Sequence, residues 1–277
     1  QKMSDTRPEG LQNIKHIVAV ASGKGGVGKS TTTVNLALAM AQAGFKVGVL
    51  DADIYGPSQG LMLGIAEGNR PETMQEKWFL PIQAHGVSVM SMAFLVDANS
   101  PMVWRGPMAA GALQQMLLQT NWGELDYLFV DMPPGTGDIQ LTLCQKAQVS
   151  GAVIVTTPQD LALLDARKGI EMFNKVNVPV LGVVENMSTH VCSQCNHEEA
   201  IFGAGGGVAL AQQYGTELLA SLPLSMEIRV LVDGGTPSVV ADPTSAAAKT
   251  YVQLAHTLVT KLDGTHQTMP SISIDED

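Results

Sequence analysis

The 277-residue chain is poor in cysteine and in basic residues. Three cysteines are too few for the disulfide framework of a small secreted domain, so the fold must depend on a hydrophobic core. Sixteen basic residues face 26 acidic ones, and this balance argues against broad electrostatic binding to nucleic acid. No apolar run approaches the length of a membrane span, and no segment resembles a signal peptide. We therefore predict a cytoplasmic protein without nucleic-acid or membrane partners.

The chain does contain a regular alternation of apolar runs and helical stretches. The predicted strands are residues 16–21, 46–51, 87–92, 127–131, 152–156, 180–185 and 218–222. The predicted helices are residues 29–43, 108–118, 139–146, 161–176, 207–214 and 244–262, the last with Thr244 as its N-cap. Several runs are continuous Val/Ile/Leu segments, which is typical of parallel strands covered on both faces. The pattern predicts an α/β fold: a doubly wound, mostly parallel sheet flanked by helices, with ligands at the carboxyl ends of the strands.

The length is suited to one large domain, which we place at residues 16–262. An N-terminal extension, residues 1–15, precedes it. The tail, residues 263–277, is acidic, contains Pro, Ser and Thr and has no periodicity, so we expect it to be disordered. The polar segment 67–85 is expected to form an excursion from the sheet.

The strongest motif is the run GKGGVGKS, residues 23–30, directly after the first predicted strand. It fits the phosphate-binding pattern G-x-x-x-x-G-K-S/T, in which glycines let backbone N–H groups point at phosphate oxygens. Lys29 should meet the β- and γ-phosphates, and the Ser30 hydroxyl should ligate Mg²⁺. The helix that continues from Thr31 directs its positive end at the same anion. We predict that a nucleotide triphosphate binds at Gly23, Lys24, Gly25, Gly26, Val27, Gly28, Lys29, Ser30 and Thr31.

Two acidic motifs follow later strands. Asp51 and Asp53 end the second strand one residue apart, where paired carboxylates can serve Mg²⁺ or orient an attacking water, although strand ends also carry solvated aspartates. Asp131 ends the strand 127–131 and can hold a water of the Mg²⁺ shell. Gly135 belongs to the Pro-Pro-Gly-Thr-Gly run that follows, which is a tight turn, a loop that moves when a γ-phosphate leaves, or both.

Cys192 and Cys195 form a Cys-x-x-Cys pair in a polar loop. This spacing brings two thiolates to one metal ion or cluster, but it supplies two of the four ligands that a [4Fe–4S] cluster or a structural zinc ion takes. The missing ligands come most simply from a second copy of the chain, whereas His190 and His197 could complete a zinc site within one chain. A redox pair is disfavoured, because thioredoxin-type motifs open a helix after a strand. The third cysteine, Cys144, lies in an apolar helix and is predicted to be buried.

Taken together, these motifs resemble those of the Mrp/ApbC proteins, which are iron–sulfur cluster carrier ATPases. They belong to the deviant Walker A class of P-loop NTPases, which includes MinD, ParA and the nitrogenase iron protein. The resemblance covers about residues 16–242. It depends on the loop 23–30 with its extra Lys24, and on residues 51–58, 104–108, 131–142, 156–160, 185–188 and 192–195.

The resemblance implies a role for each nucleotide-site residue. Lys24 would reach the nucleotide of a partner chain in a homodimer, and Lys29 would bind phosphate in its own chain. Ser30 would ligate Mg²⁺, with Asp51 and Asp131 in the outer shell of the ion. In addition, Asp53 would position the hydrolytic water and Asn186 would read adenine.

The resemblance also implies that Cys192 and Cys195 of two chains bridge a [4Fe–4S] cluster, which is handed to apo iron–sulfur proteins. Many members of the group carry a small domain before the P-loop. Here roughly fifteen residues precede the first predicted strand, so we expect any function of that domain to be absent or to have been removed.

We therefore predict a homodimeric ATPase that uses ATP and Mg²⁺ and delivers a labile [4Fe–4S] cluster. A positioning ATPase like MinD or ParA is an alternative, but it would need a basic amphipathic C-terminal helix or a basic face. A nitrogenase-like reductase is another, and that subfamily holds its cluster with widely spaced cysteines. A third alternative is a P-loop ATPase dimer in which zinc replaces the cluster at the cysteines.

Overall fold

The computed structural model describes residues 7–95, 106–192, 194–195 and 197–264. The strands are β1 (Ile14–Ala21), β2 (Val47–Asp51), β3 (Thr73–Met74), β4 (Trp78–Phe79), β5 (Ile82–Ala84), β6 (Val87–Ser91), β7 (Leu125–Asp131), β8 (Gly151–Thr156), β9 (Val180–Glu185), β10 (His190–Val191), β11 (Glu198–Glu199) and β12 (Leu218–Ser221). The helices are α1 (Lys29–Gln42), α2 (Gln59–Met62), α3 (Gly106–Gln119), α4 (Asp138–Ala147), α5 (Asp160–Lys175), α6 (Gly206–Gln213), α7 (Met226–Asp233), α8 (Ser238–Ala241) and α9 (Ala246–Asp263). Short 3₁₀ turns occupy Glu9–Leu11 and Met92–Leu95.

Eight strands form one sheet in the order β12-β9-β8-β1-β7-β2-β6-β5. Its neighbouring strands are parallel except for β5 and β6. The central strands β2, β7 and β8 are buried along almost their whole length, because helices flank the sheet and cover their apolar side chains. The predicted doubly wound, mostly parallel sheet is confirmed.

The strand order places three functional motifs at one edge of the sheet. β7 lies between β1 and β2, and Asp131 at its end is the register partner of both Val20 and Asp51. The loops that leave β1, β2 and β7 therefore start side by side. This arrangement alone brings the phosphate-binding loop and the two acidic motifs together.

The segment 67–85 only partly matches the prediction. Its first part leaves the sheet and forms the two-stranded ribbon of β3 and β4. Its last part, β5, returns and pairs antiparallel with β6 as the edge strand of the main sheet. The predicted excursion is therefore shorter than expected, since the Ile82–Ala84 backbone hydrogen-bonds with the strand that follows it.

The ends of the predicted domain also differ from the structure. β1 begins at Ile14, and the turn Glu9–Leu11 buries Leu11, so part of the predicted N-terminal extension packs on the core. Thr244 does not cap α9: the Ser245 hydroxyl accepts the Ala248 N–H at 3.2 Å instead. The helix ends at Asp263. Residues 1–6, 104–105 and 265–277 of the predicted segments lie outside the described residues.

Asp263 connects the end of α9 to the central strands. Its Oδ1 accepts hydrogen bonds from Lys15 Nζ and His16 Nε2, both at 2.7 Å, and its Oδ2 accepts one from the Tyr127 hydroxyl at 2.9 Å. Burial alone would raise the pKa of Asp263, but these hydrogen bonds outweigh burial and hold the pKa below its ordinary value. Asp263 was predicted to begin a disordered tail, and it is instead an anchoring residue.

Replacing this carboxylate should therefore cost stability in a pH-dependent way. We expect Asp263→Asn to lower the free energy of unfolding at pH 7 by about 1–3 kcal/mol, the range for hydrogen bonds to charged groups. Because the folded pKa lies below the unfolded value of about 3.9, this contribution is complete above that pH and is lost as the pH falls through the folded pKa. Urea unfolding of both chains at pH 7, 5 and 3 measures the difference, which should shrink at pH 3.

Asp233→Asn is the matched control. Asp233 pairs with Arg229 at 3.3 Å on the exposed surface of α7, where an ion pair contributes less than about 1 kcal/mol. Equal losses in the two variants, or a constant loss across pH for Asp263→Asn, would contradict the assigned role of Asp263.

Within the described ranges, no helix has both the length and the apolar composition that crossing a membrane requires. The predicted burial of Cys144 is confirmed: it lies in α4 among core residues, and burial raises the pKa of its thiol to about 12.

Candidate functional site

The loop between β1 and α1 has the conformation that phosphate binding needs. Gly26 and Gly28 have φ angles of +79° and +81°, which residues with a side chain rarely adopt. A Cβ added to Gly28 would lie 2.0 Å from Asn186 Nδ2, so the loop also needs glycine there for packing. The Ser22 hydroxyl donates to the Lys24 carbonyl at 2.7 Å and holds the start of the loop.

Lys29 is the cation at the centre of this edge of the sheet. It opens α1, and its side chain is 6% exposed. Its Nζ pairs with Asp131 and lies 3.8 Å from Asp53 Oδ2 and 3.4 Å from Ser30 Oγ. The structure thus brings together the lysine, the hydroxyl and two of the carboxylates that the sequence analysis selected.

Asp51 is fully buried behind this group. Its carboxylate accepts hydrogen bonds at 2.9 to 3.2 Å from the backbone N–H groups of Ser58, Gln59 and Asp53 and from the Ser91 hydroxyl. Burial, followed by the charge of the adjacent Asp131, raises the pKa of Asp51 to about 7. The negative charges of Asp51 and Asp131 are balanced by the one positive charge of Lys29, so a further cation would stabilise the site.

Gln59, which the sequence analysis missed, joins the parts of the site. Its Nε2 donates to Asp131 Oδ2 and to the Ser30 carbonyl, both at 2.9 Å. The side chain is fully buried, and its Oε1 has no hydrogen-bond partner among the described residues. Gln59 opens α2, which is four residues long and too short to show helical periodicity in the sequence.

Mg²⁺ fits this set of donors. The ion prefers oxygen ligands and keeps several waters. Here the Ser30 hydroxyl and the Asp131 carboxylate both contact Lys29 Nζ, and Asp51 is the register partner of Asp131. The orphaned Oε1 of Gln59 supplies a further oxygen that could accept a hydrogen bond from a water molecule.

The loop after β7 lies against the phosphate-binding loop. The Gly135 N–H donates to the Ser22 carbonyl at 3.0 Å, and Gly135 has a φ of +101°. From α4, Gln140 Nε2 donates to the Pro134 carbonyl at 2.9 Å and holds the other end of the turn. Gly135 therefore lies next to the loop it was predicted to act with.

A cavity of about 420 Å³ opens beside the first turn of α1. Its lining includes Gly28, Thr31, Asn186, His190 and Arg229. Asn186 follows β9, and its Nδ2 donates to the Val27 carbonyl at 2.9 Å. The predicted base-reading residue thus lies between the phosphate-binding loop and a cavity large enough for a ligand. The far wall is α7, a helix that the sequence analysis did not predict.

The two cysteines lie between the strands of a small β-hairpin. β10 and β11 pair antiparallel, and the Cys192 N–H donates to the His197 carbonyl at 2.9 Å. Cys192 is half-buried and Cys195 is exposed. Backbone N–H groups of Gln194 and Cys195, together with the Cys195 thiol, lower the pKa of the Cys192 thiol. This lowering favours the thiolate form of Cys192, which is the form that binds metals.

Comparison with known proteins assigns the chain to a family. The model of the ParA group described as NUBPL iron-transfer P-loop NTPase matches residues 13–259. The chain belongs to this NUBPL family. An iron–sulfur cluster carrier protein of Pseudomonas fragi is 70% identical over 248 residues, which are 90% of this chain and 86% of the relative.

Two solved structures resemble this NUBPL-family chain. A nucleotide-binding protein from Archaeoglobus fulgidus in complex with ADP has a TM-score of 0.71 and 40% identity, over 82% of this chain and 89% of that one. The cell division ATPase MinD of Pyrococcus furiosus has a TM-score of 0.68 and 24% identity, over 89% and 99%. The second likeness concerns the fold alone.

The flanking histidines of this NUBPL-family chain do not complete a metal site. Among the residues that the structure describes, no three His, Cys, Asp or Glu side chains gather as metal ligands. His190 lines the cavity and His197 is exposed. A zinc site formed by both histidines and both cysteines of one chain is therefore not assembled.

A short segment connects the cavity to the hairpin. Residues 186–192 begin at Asn186 and end at Cys192, and Ser188 and Thr189 hydrogen-bond to the chain after β12. Glu185, a second residue that the sequence analysis missed, is buried at the start of this loop. Its Oε2 accepts the Gly207 N–H at 2.6 Å where α6 begins. We call the segment between β9 and α6 the cysteine loop. Its first residue, Asn186, follows β9 directly, and Glu185 of β9 holds its other end at the start of α6, so both ends lie beside the phosphate-binding loop.

Proposed function

We propose that this protein is an ATP-hydrolysing iron–sulfur cluster carrier. Two copies would hold one [4Fe–4S] cluster between their Cys192 and Cys195 pairs and pass it to apo iron–sulfur proteins. The observation that supports this most directly is the placement of a Cys-x-x-Cys hairpin one short segment away from a P-loop site. The printed name of the Pseudomonas fragi relative, an iron–sulfur cluster carrier, points the same way.

The phosphate end of ATP would bind at the loop before α1. In the structure, Lys29 pairs with Asp131, and a triphosphate would draw its ammonium towards the β- and γ-phosphates. Mg²⁺, when bound, would neutralise phosphate charge, with Ser30 as its ligand and Asp51 and Asp131 around its waters. The adenine would enter the cavity beside Asn186.

Asp53 would orient the hydrolytic water. Its Oδ1 accepts the Gly56 N–H at 3.2 Å, and its Oδ2 lies 3.8 Å from Lys29 Nζ. The carboxylate is 14% exposed, so water can reach it. A carboxylate held in this way can accept a proton from water as it attacks a phosphate.

A second copy would meet this chain at the edge where the site lies. Large apolar side chains are exposed after β2 and in the first turns of α5; they are Tyr55, Leu61, Leu161 and Leu164. Lys24 precedes two exposed glycines at the outer side of the loop. A partner on this face would cover the apolar side chains and bring Lys24 within reach of the partner's nucleotide.

Anaerobic reconstitution with iron and sulfide tests the proposal. We expect about one four-iron cluster per two chains, seen by visible absorption and by a dimer mass in solution. Transfer to an apo iron–sulfur protein should be faster with ATP than without it. A cluster bound by a single chain would contradict the shared site, whereas identical transfer rates would contradict the coupling to ATP but not cluster binding.

A further inference from the structure

Gln59 contacts the three segments that build the nucleotide site. Its side-chain nitrogen donates to the Ser30 carbonyl in α1 and to Asp131 Oδ2 at the end of β7. Its backbone N–H donates to Asp51 Oδ2 at 2.9 Å. One buried residue thus fixes the distances between the first turn of α1 and the two carboxylates.

The contacts of Gln59 also fix which way its amide faces. Both partners of the side chain, a carbonyl and a carboxylate, are acceptors, so the NH₂ group must face them and Oε1 must point away. Oε1 is buried and has no donor among the described residues. A buried carbonyl without a donor is unfavourable, so a hydrogen bond donated by a water molecule of the bound ligand would stabilise it.

The charges around Asp131 explain why a neutral donor is needed. Lys29 is the cation that pairs with Asp131, and the proposed function moves this lysine towards the phosphates. Asp131 then stays buried next to Asp51 with less positive charge nearby. The Gln59 amide still donates to Oδ2 and so keeps the orientation of Asp131. Because the amide is neutral, it does this without adding charge to the site.

We propose that Gln59 is a positioning residue for the metal–nucleotide complex. It holds Asp131 by Oδ2, so that Oδ1 can pair with Lys29, as in the structure, and would be available to the water shell of Mg²⁺ once Lys29 moves to the phosphates. Its own Oε1 accepts a hydrogen bond from a water of that shell. This inference rests on the proposed nucleotide site, and it assigns a role to a residue outside the P-loop and both acidic motifs.

The test is the Mg²⁺ dependence of ADP binding, measured by calorimetry with and without the ion. Gln59→Leu and Gln59→Met both remove the amide but differ in shape, so agreement between them separates hydrogen bonding from packing. We expect both variants to lose less ADP affinity without Mg²⁺ than with it. The gain in affinity on adding Mg²⁺ should fall by about tenfold, which corresponds to about 1.4 kcal/mol.

The control is Gln115→Leu, which removes an exposed glutamine whose Nε2 donates to Gln119 at 3.0 Å. It should keep the full Mg²⁺ gain. A full gain in either folded Gln59 variant would overturn the inference, and so would an equal loss of ADP affinity with and without Mg²⁺, because that pattern indicates a structural role in the loop. An unchanged chain that binds no ADP would instead contradict the proposed function.

Discussion

Replacing Cys192 with alanine should abolish cluster binding and leave ADP affinity within twofold of the unchanged chain. Under the proposed function each chain brings two thiolates, so the variant dimer would offer two of the four ligands that a [4Fe–4S] cluster needs. The cavity proposed for ADP is lined by Asn186, His190 and residues of α1 and α7, and Cys192 is not part of its lining. Iron and sulfide content after anaerobic reconstitution, with calorimetry of ADP binding on the same sample, measures both effects.

Cys144→Ala is the matched control, because it removes a thiol from the core rather than from the hairpin. Cys144 is 2% exposed, and burial raises the pKa of its thiol, so it has neither the access nor the thiolate character of a ligand. This variant should keep its full iron content, and Cys195→Ala should lose it as Cys192→Ala does. Full iron content in Cys192→Ala would remove the cysteines from the proposed site.

The second large effect should separate the two lysines of the phosphate-binding loop. Lys29→Gln is expected to weaken ADP binding by about a hundredfold, since it removes a charged hydrogen-bond donor worth about 3 kcal/mol. Lys24→Gln should leave ADP affinity within threefold and reduce ATP hydrolysis by at least about tenfold, because Lys24 is proposed to act on the nucleotide of the partner. Calorimetry and phosphate release on both variants give the comparison.

Stability has to be followed in the same samples. Lys29 pairs with Asp131 beside buried Asp51, so Lys29→Gln leaves two buried carboxylates without their cation and should also lower the unfolding temperature. Binding is therefore compared at a temperature where the variant is folded. Equal losses of ADP affinity in the two lysine variants would show that Lys24 acts within its own chain.

The sequence was informative where the chemistry depends on a local pattern. The loop at residues 23–30 and the strands before Asp51 and Asp131 are recognisable from glycine spacing and apolar runs, and the parallel sheet then brings them together. The roles of Asp53, Lys24 and Asn186 remain predictions.

Features that depend on long-range contacts were missed. Gln59 lies in a helix of four residues, and its importance arises from partners 29 and 72 positions away. Asp263 appeared to begin a featureless tail, because its partners Lys15, His16 and Tyr127 are distant in sequence. The two-residue strands of the cysteine hairpin, His190–Val191 and Glu198–Glu199, are likewise too short for any periodicity.

The fixed ends of the cysteine loop have a consequence for the coupling between the nucleotide and the cluster. Glu185 closes the loop against α6, and Asn186 ties its first residue to the P-loop. A purine that contacts Asn186 would act on Cys192 through six peptide bonds of the same polypeptide. Under the proposed function, each subunit would then respond to its own nucleotide before the two subunits rearrange. Release of the cluster would therefore begin within a single protomer.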